Sequence, residues 1–332
     1  MNIFYPRIGR FVPNRRVCSL PGGVTTDESK DSIIPLTGLK MLRSFRQIFR
    51  SLRIRQWTKN MLLFAALIFS NQANDISLVL RSVAGFFLFS LCAGSVYILN
   101  DIHDCESDRL HPVKKNRPIA CGALGLGTAR AAFVVIAAGS LVLSFLFSGP
   151  FGIAVAVYFL IQLLYTFALK QVVILDVFTV SFSYLLRVIA GALVIGVVIS
   201  NWILVCTFLL ALFLTLSKRR HELTLLEATA NRHREILNEY SPHLLDQMIS
   251  VVTSATLVAY IIFTLDAETV EKFGNMVLTV PFVLYGIFRY LYLVHMKQRG
   301  GQPEEILLTD IPLLINILLY GIVVVTMIYV IG

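Results

Sequence analysis

Charge is scarce in this chain. Asp, Glu, Lys and Arg make up only 15% of its 332 residues, where a water-soluble domain carries about 25%. Hydrophobic residues reach 56%, and the mean hydropathy is +0.74. One soluble core of this size cannot hide so much apolar surface, which excludes a cytosolic enzyme and a disordered chain. Cysteine is sparse and scattered. Cys18, Cys92, Cys105, Cys121 and Cys206 form no CxxC pair, so neither a disulfide scaffold nor a zinc site is implied. The histidines show no metal-ligand spacing such as HExxH, and no serine sits in a nucleophile elbow. The chain does not open on the apolar stretch of a secretory signal.

What is present is a series of long apolar runs, the mark of an all-α, polytopic membrane protein. The formal charge of +9 then speaks for cytoplasmic loops facing anionic lipid and against a nucleic-acid partner. Residues 1–40, with Pro6, Pro13, Pro21, Pro35, Gly22 and Gly23, read as a flexible tail, and Met41 is an alternative start. Residues 41–56 read as a basic amphipathic helix at the bilayer surface. Leu42, Phe45, Ile48, Phe49 and Leu52 share one face, and Arg43, Arg46, Arg50 and Arg53 the next.

Residues 57–332 hold nine candidate transmembrane helices, near 58–74, 77–99, 126–147, 150–169, 172–199, 201–217, 244–265, 275–296 and 310–331. The first is the weakest, with Lys59, Asn60, Asn71 and Gln72 at its ends. Two connections are long and polar, 100–125 and 218–243. Lys and Arg concentrate in alternate connections, which predicts an N-in/C-out chain with both long loops on the cytoplasmic side of the cell inner membrane.

The second run ends in Asn100-Asp101-Ile102-His103-Asp104-Cys105-Glu106-Ser107-Asp108. On a helix, Asp104 lies about 60° and Asp108 about 20° from Asp101, on a stripe about 10 Å long. Asn100 lies near that stripe; His103 and Glu106 point elsewhere. Three carboxylates so placed repel each other, and a hard divalent cation, Mg2+, relieves this while completing its shell with substrate phosphates. Lys114, Lys115 and Arg117 follow at once. Carboxylates for a metal beside cations for phosphate make a pyrophosphate clamp. Arg187 and Arg289, deep in apolar runs, are expected to face the bundle. Each there meets an anion, a structural salt bridge or a carbonyl cap.

Asn100-Asp101-x-x-Asp104-x-x-x-Asp108 with Lys114-x-x-Arg117-Pro118 resembles the first aspartate motif of the UbiA-type intramembrane transferases. Tyr165-x-x-x-x-Lys170 and Asp176 also look like that family. The resemblance spans roughly residues 50–331 and implies nine helices around a central cavity, with magnesium activating a pyrophosphate leaving group. One departure matters: the segment after the sixth run begins Ser217-Lys218-Arg219-Arg220-His221-Glu222-Leu223 and holds no DxxxD. With Arg55-Gln56-Trp57-x-Lys59-Asn60 and Leu186-Arg187-x-x-x-Gly191, this resembles the decaprenyl-phosphate phosphoribosyltransferase branch.

That branch implies transfer of 5-phosphoribosyl from phosphoribosyl pyrophosphate to a polyprenyl phosphate. The residues carried over are Asp101, Asp104, Asp108, Lys114 and Arg117 for catalysis and Asn100, Asp101, Asp104 and Asp108 for the metal. For the substrates they are Gln56, Lys59, Asn60, Lys115, Tyr165, Lys170, Asp176, Arg187, Lys218, Arg219 and Glu222. Two other readings stand beside it: a UbiA-type prenyltransferase acting on an aromatic or quinone precursor, and a transporter of an anionic solute. The oligomeric state, monomer or homo-oligomer, is open.

Overall fold

The structure, a computed structural model, describes residues 36–111, 113–229, 239–297 and 303–331. The expected tail lies outside the described residues up to position 35. The surface helix begins earlier than the periodicity predicts: α1 runs Leu36–Ser51. It ends because Arg53 takes a left-handed conformation (φ 52°, ψ 55°). Ile48 and Leu52 pack on a small core with Ile98 and Ile119. Phe45 and Phe49 stay 52% and 55% exposed, and Arg43, Arg46 and Arg50 are exposed as well. One face thus packs on protein, and an apolar and a basic face stay exposed.

The first predicted span is not one regular α-helix. A 3-10 stretch, Ile54–Phe64, runs into the short α2, Ala65–Phe69. The tighter winding rises about 2.0 Å per residue, so the two reach about 30 Å, one hydrocarbon thickness. Its polar residue Asn60 is buried at 2% exposure.

Eight helical segments among the described residues are long and apolar enough to cross a membrane. α3 (Ile76–His103) is capped by Asp75, whose carboxylate accepts from the Ser77 and Leu78 N–H groups. α4 (Cys105–Leu110) follows at a break on Asp104. α5 (Leu126–Phe147) and α6 (Gly149–Phe167) turn at Ser148. α7 (Leu175–Ile195) stops at Gly196, which supplies φ 73°. Then come α8 (Asn201–Thr229), α9 (Pro242–Leu265) and α10 (Ala267–Phe273). α11 (Val280–Met296), α12 (Pro303–Thr309) and α13 (Ile311–Thr326) complete the order. Among the described residues there is no strand.

The expected loop from 218 is a correction. α8 runs on without interruption, so Lys218, Arg219, Arg220 and Glu222 stand on a helix. No Gly or Pro interrupts residues 201–229. The pairs Arg219–Glu222 (2.6 Å) and Lys218–Glu222 (4.0 Å) have helical spacing.

α7 is the centre: 56% of its apolar window is buried, against 17% for α5 and for the last span. Two apolar cores meet along it. One joins Leu63, Phe89, Phe151 and Ala190, and the other Val177, Phe213, Ile249 and Leu313. At Gly191 the α7 backbone touches the 3-10 stretch so closely that a Cβ would overlap the Leu63 carbonyl. The last span starts at Ile311, and Asp310 caps it, accepting the Leu313 N–H. Its carboxylate takes a bidentate pair from Arg289 of α11 (3.0 and 2.9 Å). The anion that Arg289 meets is thus the protein's own.

Candidate active site

The C-terminal ends of α3 and α6, the N-terminal end of α7 and the C-terminal part of α8 meet at one end of the bundle, and charged residues gather there. The helix axis breaks at Asp104, yet the Asp104 and Asp108 N–H groups still reach the carbonyls of Asn100 (2.9 Å) and Asp104 (2.8 Å). The stripe is therefore roughly kept. Its carboxylates are not unpaired, however. Asp101, 2% exposed, accepts from Arg53 Nη2 (2.5 Å) and Arg117 Nη1 (3.1 Å). Asp108 accepts from the same Arg117 Nη1 at 2.5 Å. Asp104 accepts from Lys170 Nζ at 2.9 Å. His103, expected to point away, has its Nδ1 3.0 Å from Asp104. Burial pulls the Asp104 carboxyl upward, but hydrogen bonds from Lys170 and His103 outweigh it and hold the group below its ordinary value.

Each cation comes from a different part of the chain. Arg53 stands at the strained end of α1 and lies over the Tyr97 ring at 5.2 Å. Arg117 follows the 3-10 turn Lys114–Asn116, on which Lys114 and Lys115 are exposed. Lys170 sits on a second 3-10 turn, Leu169–Gln171, between α6 and α7. Arg53 was not expected in the site. Its charge is plain in the sequence, but its reach to Asp101 depends on the left-handed residue that ends α1.

A second cluster lies beside the first. Asp176, fully buried, accepts from Arg219 Nε at 2.8 Å. Arg219 also donates to Glu222 (2.6 Å) and to the Tyr165 hydroxyl (3.4 Å). The other oxygen of Asp176 takes the Tyr240 hydroxyl proton at 2.8 Å, and Tyr240 in turn accepts the Ile174 N–H at 2.7 Å. Burial pushes the Tyr240 phenol up to about 12, so it remains a donor at neutral pH. Ile174 has φ 69° and ψ −45°, with the Leu175 N–H bonded to the Val173 carbonyl at 2.8 Å. This is the rare γ-turn of positive φ. On a β-branched residue it is strained by about 1–3 kcal/mol. No sequence signal marks Tyr240.

The third group is deeper and different. Arg187, 3% exposed, donates to Asn60 Oδ1 (2.7 Å), the Ser183 carbonyl (2.5 Å) and the Tyr158 hydroxyl (3.2 Å). Its guanidinium faces the rings of Phe89, Tyr158 and Tyr184. Asn60 donates onward to Ser90 at 2.8 Å. Among the described residues Arg187 has no carboxylate partner. Of the three partners the sequence leaves open, the carbonyl cap is the one Arg187 meets, joined by neutral side-chain oxygens and ring faces, while Asp176 of the same helix pairs with Arg219. Gln56 and Lys59 are half-buried on the 3-10 stretch next to this group.

Among the described residues, no three acidic, histidine or cysteine side chains converge on one point. Two do: Asp101 and Asp108 meet at Arg117 Nη1. Magnesium is commonly held by one or two carboxylates, with water and substrate phosphates filling the rest of its shell. Two buried carboxylates aimed at one positive nitrogen fit that demand. Asp104 engages Lys170 and His103 instead, and Asn100 is half-buried beside them.

The sequence matches the UbiA prenyltransferase family over residues 61–307. It is 34% identical to a decaprenyl-phosphate phosphoribosyltransferase of Mycolicibacterium smegmatis over 79% of this chain and 86% of that protein. Identity to the protein of the same name from Mycobacterium tuberculosis is 32%, over 79% and 88% of the two chains. The fold is similar to that of a UbiA homolog from Archaeoglobus fulgidus bound to DMAPP and Mg2+. The TM-score is 0.63 at 19% identity, covering 85% of this chain and 96% of that one. The chain belongs to the UbiA prenyltransferase family.

Proposed function

We propose that this family member transfers the 5-phosphoribosyl group of phosphoribosyl pyrophosphate to a polyprenyl phosphate, with Mg2+, at the cytoplasmic face of the cell inner membrane. The stretched segment before α3 serves as a ninth crossing, which leaves the chain N-in and C-out. The observation that carries the reading is the pairing at the mouth: three aspartates, each already gripped by a cation from another segment. Cations held by carboxylates at a membrane boundary are ready to exchange those partners for phosphate oxygens. The similarity to phosphoribosyltransferases over most of the chain points the same way.

In this reading Asp101 and Asp108 hold the metal, with Asn100 and Asp104 beside them. The ion, when bound, neutralises charge on the departing pyrophosphate. Arg117, helped by Lys114 and Lys115 at the rim, takes the pyrophosphate oxygens. The bond from ribose C1 to the pyrophosphate oxygen breaks, and its electron pair leaves with the pyrophosphate. An oxygen of the lipid phosphate closes on C1 as oxocarbenium character develops. That phosphate, with a second pKa of about 6, is already an anion, so no strong general base is needed. Lys170, Lys218 and Arg219, positioned by Asp176, Glu222 and Tyr165, hold the remaining phosphates. Arg187 with Asn60, beside Gln56 and Lys59, stiffens the helices that carry the site.

The test is transfer of labelled phosphoribosyl to polyprenyl phosphate by the protein in vesicles with magnesium. The expected product is labelled lipid, lost in an Asp101→Ala, Asp104→Ala double variant. Full activity of that variant, or consumption of a prenyl diphosphate instead, overturns the reading. The second outcome favours the aromatic prenyltransferase. Solute uptake without covalent change favours the transporter.

A further inference from the structure

The segment between α6 and α7 joins the two charged clusters. At one end Lys170 reaches Asp104 at 2.9 Å. At the other, Ile174 makes its positive-φ turn and Asp176 meets Arg219. A β-branched residue does not hold such a turn by its own preference. An outside group must hold it, and the only side chain on the Ile174 N–H among the described residues is the Tyr240 hydroxyl. The same hydroxyl fixes Asp176. Tyr240 is itself 4% exposed and set in the core with Leu245 and Ile249 at the start of α9. Its ring is therefore an anchored post, and its single oxygen spans two positions of the opposing segment.

We propose that Tyr240 is a positioning residue: its hydroxyl latches the strained turn at Ile174 and thereby sets where Lys170 and Arg219 stand in the site. It touches neither metal nor substrate. Its effect passes through the 168–176 segment, so it governs the affinity for the phosphates those two cations hold. Only this last step rests on the function proposed above.

Two measurements test it. The first needs no substrate: hydrogen–deuterium exchange of the peptide covering 168–176. Tyr240→Phe keeps the ring and removes the latch. Exchange there is expected to rise about tenfold, the usual consequence of one lost hydrogen bond, while the peptide covering 183–195 is unchanged. Unchanged exchange at 168–176 overturns the latch whatever the enzyme does.

The second uses lipid transfer, once the unaltered protein is seen to perform it. Tyr240→Phe is expected to raise the KM for a phosphorylated substrate about tenfold, with kcat within about threefold. Adding Ile174→Gly makes positive φ free of steric cost and is expected to recover most of that loss. A role confined to packing predicts the opposite: two changes whose losses add. Additive losses, or a KM that does not move, overturn the proposal.

Discussion

Arg117 and Arg187 are both arginines at the edge or the heart of the same bundle, and their surroundings differ in kind. Arg117 is 26% exposed along its side chain and shared between two carboxylates, Asp101 and Asp108. Arg187 is 3% exposed and bound by neutral oxygens from the 3-10 stretch, α6 and α7. The first can leave only where its buried carboxylates gain another cation, since baring Asp108 would cost about 3–5 kcal/mol. The second cannot, because every contact it gives up leaves a polar group bare inside the protein. A cation at the mouth is built to change partners, and a cation in the core to keep them.

Substitutions should respect that division. Arg117→Met should cost the most, about a hundredfold or more in turnover, the usual loss when a group stabilising developing charge is removed. Its thermal unfolding in detergent should drop without Mg2+, because Asp108 is left buried and unpaired, and should recover when Mg2+ is added. If Arg117→Met unfolds the protein even with Mg2+ and spares the turnover of what remains, the contrast fails.

Arg187→Met should do the reverse. Asn60 and Tyr158 lose a buried partner, a loss of about 3 kcal/mol in stability. Activity per folded molecule should stay within about threefold. Denaturant unfolding paired with an active-site titration reads both numbers. Gly191→Ala sharpens the same side, since the added methyl meets the Leu63 carbonyl. About 2 kcal/mol of destabilisation is expected, with no change in substrate affinity. Lys115→Ala should show the smallest effect. It is exposed at the rim, so a KM rise of about twofold at low salt should vanish at high ionic strength.

Much of the architecture was legible because apolar runs of span length are hard to mistake, and α3, α5, α6, α7, α9 and α11 lie close to the runs that announced them. The first span is the weakest of the nine in the sequence, and periodicity does not distinguish its 3-10 winding from α winding. Its geometry depends on Gly191, far away in sequence, letting α7 come close. The overrun of α8 past Arg219 was missed by giving polarity more weight than helix preference, although nothing in 201–229 breaks a helix. The acidic stripe was visible from spacing alone. Its partners were only half visible: Arg117 is a near neighbour, while Arg53 and Lys170 come from 48 and 66 positions away. A continuous helix would point His103 away from the stripe, and the break at Asp104 brings it back. Tyr240 lies just before α9 with no pattern around it, and only the folded chain brings it to Ile174.

The bidentate bond between Arg289 and Asp310 has a bearing on how the protein is made. Without Asp310, α11 would carry its arginine toward the bilayer with no counter-charge. An isolated segment of that kind partitions poorly. Once the final segment follows, its aspartate neutralises the guanidinium and the two can enter the bilayer as a hairpin. The cap of the last span, which places Asp310 in reach, thus makes the C-terminal segment an insertion partner for the helix ahead of it.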